Sequence, residues 1–378
     1  MRIFSINGNS IVESDVLPAQ LAEASFVWIA CGRREFEVQQ TQIQATLQTL
    51  CGTPLVDLHI TDLLNNQLPS HYDYTSQYDL LVFRRLASGM RETDLSQPGV
   101  PLHVSANTTK RAASAKRGGP PVLHRIDTSP VGFVVFDRVL LTVHPTDCAI
   151  RDAYAAKLLG AASAESRAAG VRMPTSPPDL MLRIVNQMVD GYLELRRELT
   201  HQLDHWQSEL LNPGGRFSNW KLMLDTRLSL HALDEICEDQ RAAVEEWVEA
   251  LDNWPAATTP ASQREHELLK VRSRDVLEHI ERVVHHVRRL EQSAETAVQM
   301  HFSVQSNRTN DTMRTLTALT AVFLPLNLIT GFFGMNFDFL PLIHSAAGVW
   351  FAVAAMVMVA GTLLVVFWRK RYLARSGR

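Results

Sequence analysis

The spacing of hydrophobic positions changes along the chain, and the changes mark its parts. Over residues 1–86 the apolar runs are short. Phe26-Val27-Trp28-Ile29-Ala30 and the stretch from Tyr78 to Phe83 read as buried strands, and Val38 to Leu50 between them carries a helical pattern. Strand character returns over 131–143, first with Val131, Phe133, Val134 and Val135 and then with Val139, Leu140 and Leu141. From Ile150 the pattern turns helical. Pro174, Pro177 and Pro178 mark a loop, and Asp179 is placed to cap the helix that follows. In that helix Val185, Val189, Tyr192, Leu199, Leu203, Trp206 and Leu210 form one apolar stripe, which Asn212-Pro213-Gly214-Gly215 ends. A second amphipathic helix over about 218–251 completes an antiparallel pair.

A third helix is predicted from Thr259-Pro260, with the threonine as cap and the proline in the first turn. No proline or glycine interrupts it between Ser262 and Phe323. Val276, Ile280, Val283, Val287, Leu290, Ala294 and Ala297 alternate by four and three, a heptad-like seam suited to a bundle around an axis. Continued to Phe333, the helix would be ~100 Å long, which suits a stalk entering a membrane. Its end is apolar. Thr315 to Phe337 holds no charged residue and covers ~34 Å as a helix, against a hydrocarbon core of ~30 Å. Phe339 to Trp368 is again free of charge. The two stretches predict a membrane hairpin.

The first span is not uniformly apolar. Asn310, Met313, Thr317, Thr320, Leu324, Asn327 and Gly331 step by three and four, and this face holds nearly all of its polar and small groups. An amide facing lipid is costly, so Asn327 should face protein or water. A helix-packing face is the other reading of the stripe. One hairpin cannot enclose a pore, so a pore requires an oligomer. Pro325 removes a helical hydrogen bond and is placed to kink the span.

Charge orients the hairpin. The connecting loop over 334–346 has no Lys or Arg, while Arg308 and Arg314 precede the first span and Arg369, Lys370, Arg371, Arg375 and Arg378 follow the second. The positive-inside rule puts both termini in the cytoplasm, and the N-terminus lacks the apolar core of a signal peptide. With 37 Lys+Arg against 40 Asp+Glu, the net charge of −3 argues against a nucleic-acid binder. The four cysteines are too scattered for a CxxC site and read as reduced buried thiols. Residues 87–129, rich in Ser, Ala, Gly and Pro, read as a flexible insertion, with solvated basic groups at Lys110/Arg111 and Lys116/Arg117. His201 and His205 stand four apart but lack an evident third ligand, and His285-His286 read as solvated. No phosphate-binding loop and no catalytic constellation stands out, so no enzyme and no cofactor is expected.

Phe332-Phe333-Gly334-Met335-Asn336-Phe337 ends the first span, before a short loop, a second span and a basic tail. This arrangement resembles the CorA family of divalent-cation channels. The stretch Thr320 to Ile329, with its Leu-Pro-Leu-Asn-Leu-Ile end, is similar to the family too, as is Arg274-Asp275-Val276 with His279 upstream. The likeness is strong over 260–378, weaker over 1–86 and 130–250, and absent from the insertion.

The resemblance implies an α+β fold: an N-terminal α/β cytoplasmic domain, a long stalk helix and two C-terminal transmembrane helices. The expected parts are 1–259 with the insertion at 87–129, the stalk 260–312, spans 313–333 and 347–368 around an external loop 334–346, and a cytoplasmic tail 369–378. It further implies a homopentamer in the cytoplasmic membrane, in contact with lipid, importing Mg²⁺. Gly334, Met335 and Asn336 would form the selectivity filter, and Asn310, Met313, Leu316, Thr317, Thr320, Leu324, Asn327 and Gly331 would line the pore. Asn327 departs from the threonine more usual there, and the loop offers one acid, Asp338. Mg²⁺ would also be a regulatory ligand. Asp275, together with Asp62 in Thr61-Asp62-Leu63-Leu64-Asn65, resembles the acids that would hold it, although Asp62 also reads as a solvent-exposed helix cap. Two alternatives stay open: a Zn²⁺, Co²⁺ or Ni²⁺ transporter of the ZntB-like branch, proton-coupled or not, and a membrane-anchored sensor that does not conduct.

Overall fold

The computed structural model of the chain describes residues 1–8, 10–21, 25–86, 128–145, 148–161, 173–211, 220–255, 259–335 and 346–369. Residues 87–127 of the predicted insertion lie outside these. By its contacts the chain divides into Met1–Glu295 and Thr296–Arg378.

In the first unit the described residues form one mixed sheet of seven strands: β1 (Arg2–Asn7), β2 (Ser10–Ser14), β3 (Ser25–Gly32), β4 (His71–Tyr74), β5 (Asp79–Leu86), β6 (Thr128–Val135) and β7 (Val139–His144), in the order β2-β1-β3-β7-β6-β5-β4. The central pair β3 and β7 runs parallel, with Val27 opposite Val139 and Trp28 opposite Leu140; the other pairs are antiparallel. Both central strands are buried throughout. A strand covered on both faces is a continuous apolar run, which is how these two read in the sequence. Strand β6 begins at Thr128, so strand structure resumes three residues earlier than the apolar run from Val131 suggested, and the last two residues assigned to the insertion belong to the sheet.

Alternation splits the sheet's side chains between two cores. Ile3, Val27, Ile29, Leu80, Val82, Val134, Leu141 and Val143 face the short helices α1 (Arg33–Val38), α2 (Gln40–Cys51) and α3 (Asp57–Leu64). Phe4, Trp28, Leu81, Phe83, Phe133 and Leu140 face α4 (Ala149–Ala161), α5 (Pro177–Leu211), α6 (Trp220–Asp252) and the start of α7 (Pro260–Phe333). Gly132 on β6 packs closely against α3: a Cβ there would stand 2.1 Å from Leu63 Cδ2, so that side chain would have to shift to admit one. Polar ties fix the second layer. Tyr192 Oη of α5 and Gln240 Nε2 of α6 both donate to the Arg84 carbonyl of β5, at 2.9 and 2.7 Å, and Trp247 Nε1 of α6 donates to Ser273 Oγ of α7 at 2.9 Å.

Helix α7 starts as its sequence suggests. Ser262 N–H donates to Thr259 Oγ1 and Thr259 N–H to Ser262 Oγ, a reciprocal cap. Its apolar seam has a different destination. Val276, Ile280, Val283, Val287, Leu290 and Ala294 are buried in the chain's own core beside α5 and α6, and not along an axis shared with other chains. Helix α5 begins at Pro177, two residues before the predicted cap. Asp179 therefore sits in the first turn and reaches back to accept from the Thr175 N–H at 3.1 Å. His286 is half-buried, its Nε2 2.8 Å from Thr200 Oγ1, while His285 is exposed.

The second unit holds the rest of α7, which runs helical through Pro325, and α8 (Ala346–Arg369). Both contain stretches long and apolar enough to cross a membrane, with mean hydropathy 1.8 and 2.5.

Candidate functional site

The end of α7 has two chemically distinct faces. The chain covers one of them: Ala318 is buried, and Ala321, Val322, Pro325, Leu326, Ile329 and Phe333 are half-buried. On α8 the covered row is Gly348, Ala352, Ala355, Met356, Val359, Leu363 and Phe367, a mixture of small and large residues at helix-packing spacing. The residues singled out in the sequence as pore-lining are all exposed: Asn310, Met313, Leu316, Thr317, Thr320, Leu324, Asn327 and Gly331. At about 100° per residue they fall within a sector of about 120°, centred about 160° round the helix from the covered row. Leu316 at 57% and Leu324 at 69% exposure confirm that no other part of the described chain shields this sector.

The threonines of that sector have committed their protons. Thr317 Oγ1 donates to the Met313 carbonyl at 2.7 Å and Thr320 Oγ1 to the Leu316 carbonyl at 2.9 Å. A hydroxyl whose proton is used along the helix presents only acceptor lone pairs outward. Pro325 has no N–H, which leaves the Ala321 carbonyl without its helical donor. Helix α7 closes at Gly334, whose N–H donates to the Thr330 carbonyl at 2.9 Å. A Cβ at Gly334 would lie 3.1 Å from that oxygen, so the tight approach favours glycine. Met335 is 46% exposed. Asn336 and Asp338 lie outside the described residues.

The two candidate regulatory acids stand apart. Asp62 is half-buried on α3, and Asp275 is exposed on α7, its Oδ1 3.8 Å from His279 Nε2. Helices α3 and α7 pack on opposite faces of the sheet, so one chain does not bring the two carboxylates together. Among the described residues no group of three or more His, Cys, Asp or Glu is gathered to hold a metal. The side chain of His205 is outside the described set. The thiols are shielded: Cys31, Cys148 and Cys237 are buried, and burial pushes Cys31 and half-buried Cys51 up to about 12.

One constellation gave little sign in the sequence. Asp179, fully buried, binds Arg183 of its own helix at 3.1 Å and Arg272 Nε of α7 at 2.7 Å. Only its four-residue spacing from Arg183 hinted at this role.

Residues 119–371, about two thirds of the chain, match the family described as CorA-like Mg²⁺ transporter protein. The chain is 24% identical over 194 residues to the cobalt/magnesium transport protein CorA of Thermotoga maritima, covering 51% of this chain and 52% of that protein. It is 42% identical over 66 residues to the putative metal ion transporter YfjQ of Bacillus subtilis, covering 17% of this chain and 20% of that one. These matches span about half or less of the curated relatives' own length. The fold is similar along its whole extent to the complete CorA magnesium transporter structure from Methanocaldococcus jannaschii, with a TM-score of 0.68 at 17% identity, covering 100% of this chain and 98% of that one. A mixed sheet, a long helix and two apolar C-terminal helices are common to both, and with the family match they make this chain a member of the CorA-like Mg²⁺ transporters.

Proposed function

We propose that the chain is a divalent-cation channel that imports Mg²⁺ across the cytoplasmic membrane, with both termini in the cytoplasm and its pore formed by α7 in a homopentamer. The observation that carries this reading is the exposed sector of Asn310, Thr317, Thr320, Asn327 and Gly331, set opposite the covered row on a helix otherwise apolar enough for lipid. A polar sector at membrane depth belongs against protein or water. In a ring of chains, it faces the axis.

The chemistry suits a hydrated cation. Mg²⁺ releases its water reluctantly. The water molecules around it point protons outward, and the sector offers acceptors: threonine oxygens with their own protons committed, and asparagine carbonyls. Neutral rings hold a divalent ion weakly enough to let it go, as conduction requires. Gly334, Met335 and Asn336 form the filter in this reading, and the apolar rings of Met313 and Leu316 gate by dewetting. Co²⁺ is the first competing cargo to measure, because the T. maritima relative carries both metals in its name.

Regulation follows from Asp62 and Asp275. The sheet separates them within one chain, so a shared ion must lie between neighbouring subunits. Empty, the paired carboxylates repel; cytoplasmic Mg²⁺, a hard cation suited to carboxylate oxygen, cancels the repulsion and favours the closed assembly. Two experiments test these claims. Uptake into liposomes, compared for Mg²⁺, Co²⁺ and Zn²⁺ with and without a proton gradient, identifies the cargo; Zn²⁺ uptake that collapses with the gradient would replace the Mg²⁺ reading by a proton-coupled one. In the Asp62→Ala, Asp275→Ala double mutant, flux should persist at internal Mg²⁺ levels that silence the wild type. Unchanged inhibition would remove the pair from gating.

A further inference from the structure

Helices α4, α5 and α7 border a cavity of about 250 Å³ in the sheet unit. Part of its lining is apolar: Tyr154 and Leu158 of α4 and Val276 of α7 are buried there. The charged residues on its wall are Lys157 of α4, Arg183 and Asp190 of α5, and Arg272 and Asp275 of α7. A compact cavity of this volume is about 8 Å across, so charges on facing walls stand within about one Debye length of each other at physiological salt.

These charges are not equivalent. Arg183 and Arg272 are held at the buried Asp179, at 3.1 and 2.7 Å. Lys157 is exposed on α4, one turn from Tyr154, and among the described residues its ammonium makes no ion pair. Such a lysine is a point charge on a flexible four-carbon stem, free to follow the local field. Asp275 on the α7 wall is exposed too, and its ion contact among the described residues is the long one to His279 at 3.8 Å. Lys157 is thus the cation of this wall with no carboxylate of its own, and it shares the cavity with the acid assigned above to regulation.

We propose that Lys157 is the built-in counter-cation of the Asp275 site: it favours closure of the assembly while the site is empty, opposes closure once Mg²⁺ fills it, and so sets the Mg²⁺ level at which the channel shuts. This rests on the regulatory reading of Asp62 and Asp275. The sign follows from counting charge. Lys157 and Asp275 belong to one chain, so their attraction is common to the open and closed states and cancels. Closure brings the neighbouring subunit's side of the site toward Lys157. Empty, that side is a carboxylate, and Lys157 attracts it. Filled, it is a carboxylate with a divalent cation, a net positive charge, and Lys157 repels it. Across about 8 Å in water-like surroundings, one pair of unit charges changes an equilibrium about two- to threefold. Asp190 on the same wall carries the opposite charge, but it stays constant while Lys157 is varied.

The test uses the full chain and a charge series at this exposed position, Lys157→Arg, Lys157→Gln and Lys157→Glu, beside Asp275→Ala. Two Mg²⁺ titrations are read: the rise in melting temperature in detergent, which needs no flux, and the inhibition of uptake into liposomes. Lys157→Arg should keep the wild-type midpoint in both. Lys157→Gln should lower the inhibition midpoint about two- to threefold and Lys157→Glu by a similar factor again. The melting midpoints should fall in the same order. With no internal Mg²⁺, the glutamine and glutamate variants should carry at least the wild-type flux. At 1 M monovalent salt, where the Debye length is about 3 Å, the differences should vanish, which a packing defect would not do.

Equal midpoints across the series, or a glutamine midpoint above wild type, would overturn the role of Lys157. If Asp275→Ala has meanwhile lost its response to Mg²⁺, the regulatory reading stands without it. A wild type whose melting and flux ignore Mg²⁺, or an Asp275→Ala variant that responds as wild type does, would overturn both.

Discussion

Replacing Asp179 by Asn removes one negative charge from a site shared by two helices. The carboxylate is fully buried, while the Arg183 and Arg272 side chains are 17% and 28% exposed. Breaking a fully buried ion pair by deleting one partner costs about 3–5 kcal/mol, because the other charge is stranded. Here each guanidinium retains some water, which screens the loss and brings the expected cost down to roughly 2–3 kcal/mol. The asparagine keeps an acceptor for the Thr175 N–H, so the cap at the start of α5 survives. For a unit of this size ~1 kcal/mol lowers the melting temperature by about 2–4 °C, so a fall of roughly 5–10 °C is expected. Thermal unfolding of the full chain in detergent measures it. A double-mutant cycle with Arg272→Met isolates the tie between α5 and α7, and the two changes together should cost less than their sum by about 1 kcal/mol or more. Because Arg272 sits one turn before Asp275, Asp179→Asn leaves that guanidinium uncompensated and, on the proposed regulatory role of Asp275, should also raise the internal Mg²⁺ needed for inhibition. A change in melting temperature below ~1 °C together with strict additivity would refute this assignment.

Further outcomes follow from single positions. Burial and the neighbouring Arg151 push the His144 imidazole down to about 4. The folded protein thus holds it neutral, and stability that is full above pH ~6.5 falls as the pH drops through that value toward 4, by ~3 kcal/mol at most. His144→Gln should flatten the dependence of melting temperature on pH in this window, and an unchanged slope would exclude His144 as its source. Gly132→Ala places a methyl 2.1 Å from Leu63 Cδ2. It should cost about 1–3 kcal/mol in thermal unfolding, with partial rescue by the smaller Leu63→Val; no loss would mean that Leu63 swings clear freely. Asn327→Cys should react with water-soluble thiol reagents in the assembled protein. Since Cys31, Cys148 and Cys237 are buried, Cys51 is the main native thiol to remove first. An unreactive residue 327 in both open and closed conditions would make the stripe a packing face.

Much of this fold is legible along the chain because burial leaves an imprint on periodicity. Strands β3 and β7 read as unbroken apolar runs since helices cover both their faces. Helix α7 announced its start through Thr259-Pro260 and its membrane end through the loss of charge. The edge pair β1 and β2 left less trace: Ser10–Ser14 buries none of its residues fully, so no alternation marks it. Periodicity also fails to name the partner of an apolar seam. Val276 to Ala294 fits an axis shared by several chains as well as it fits α5 and α6, and tertiary packing chose the latter. Buried polar ties are the least legible. Nothing in the spacing of Asp179 and Arg272, or of His59, Asp73 and Tyr78, foretells that His59 bridges Asp73 Oδ2 at 3.0 Å and Tyr78 Oη at 2.8 Å. The candidate pore face was readable in outline, because polar residues are scarce in that span and any regular row of them stands out. Its relation to the covered face needed the structure.

The most direct test of the central claim is Mg²⁺ uptake into liposomes holding the purified protein, wild type beside Asn336→Ala, with oligomer size checked for both. Wild-type vesicles should take up Mg²⁺ down its gradient. The variant should assemble normally and lose uptake, because the proposed filter depends on the Asn336 amide. Uptake by the variant equal to wild type would contradict the filter, and absence of Mg²⁺ uptake by an assembled wild type would contradict the transport reading itself.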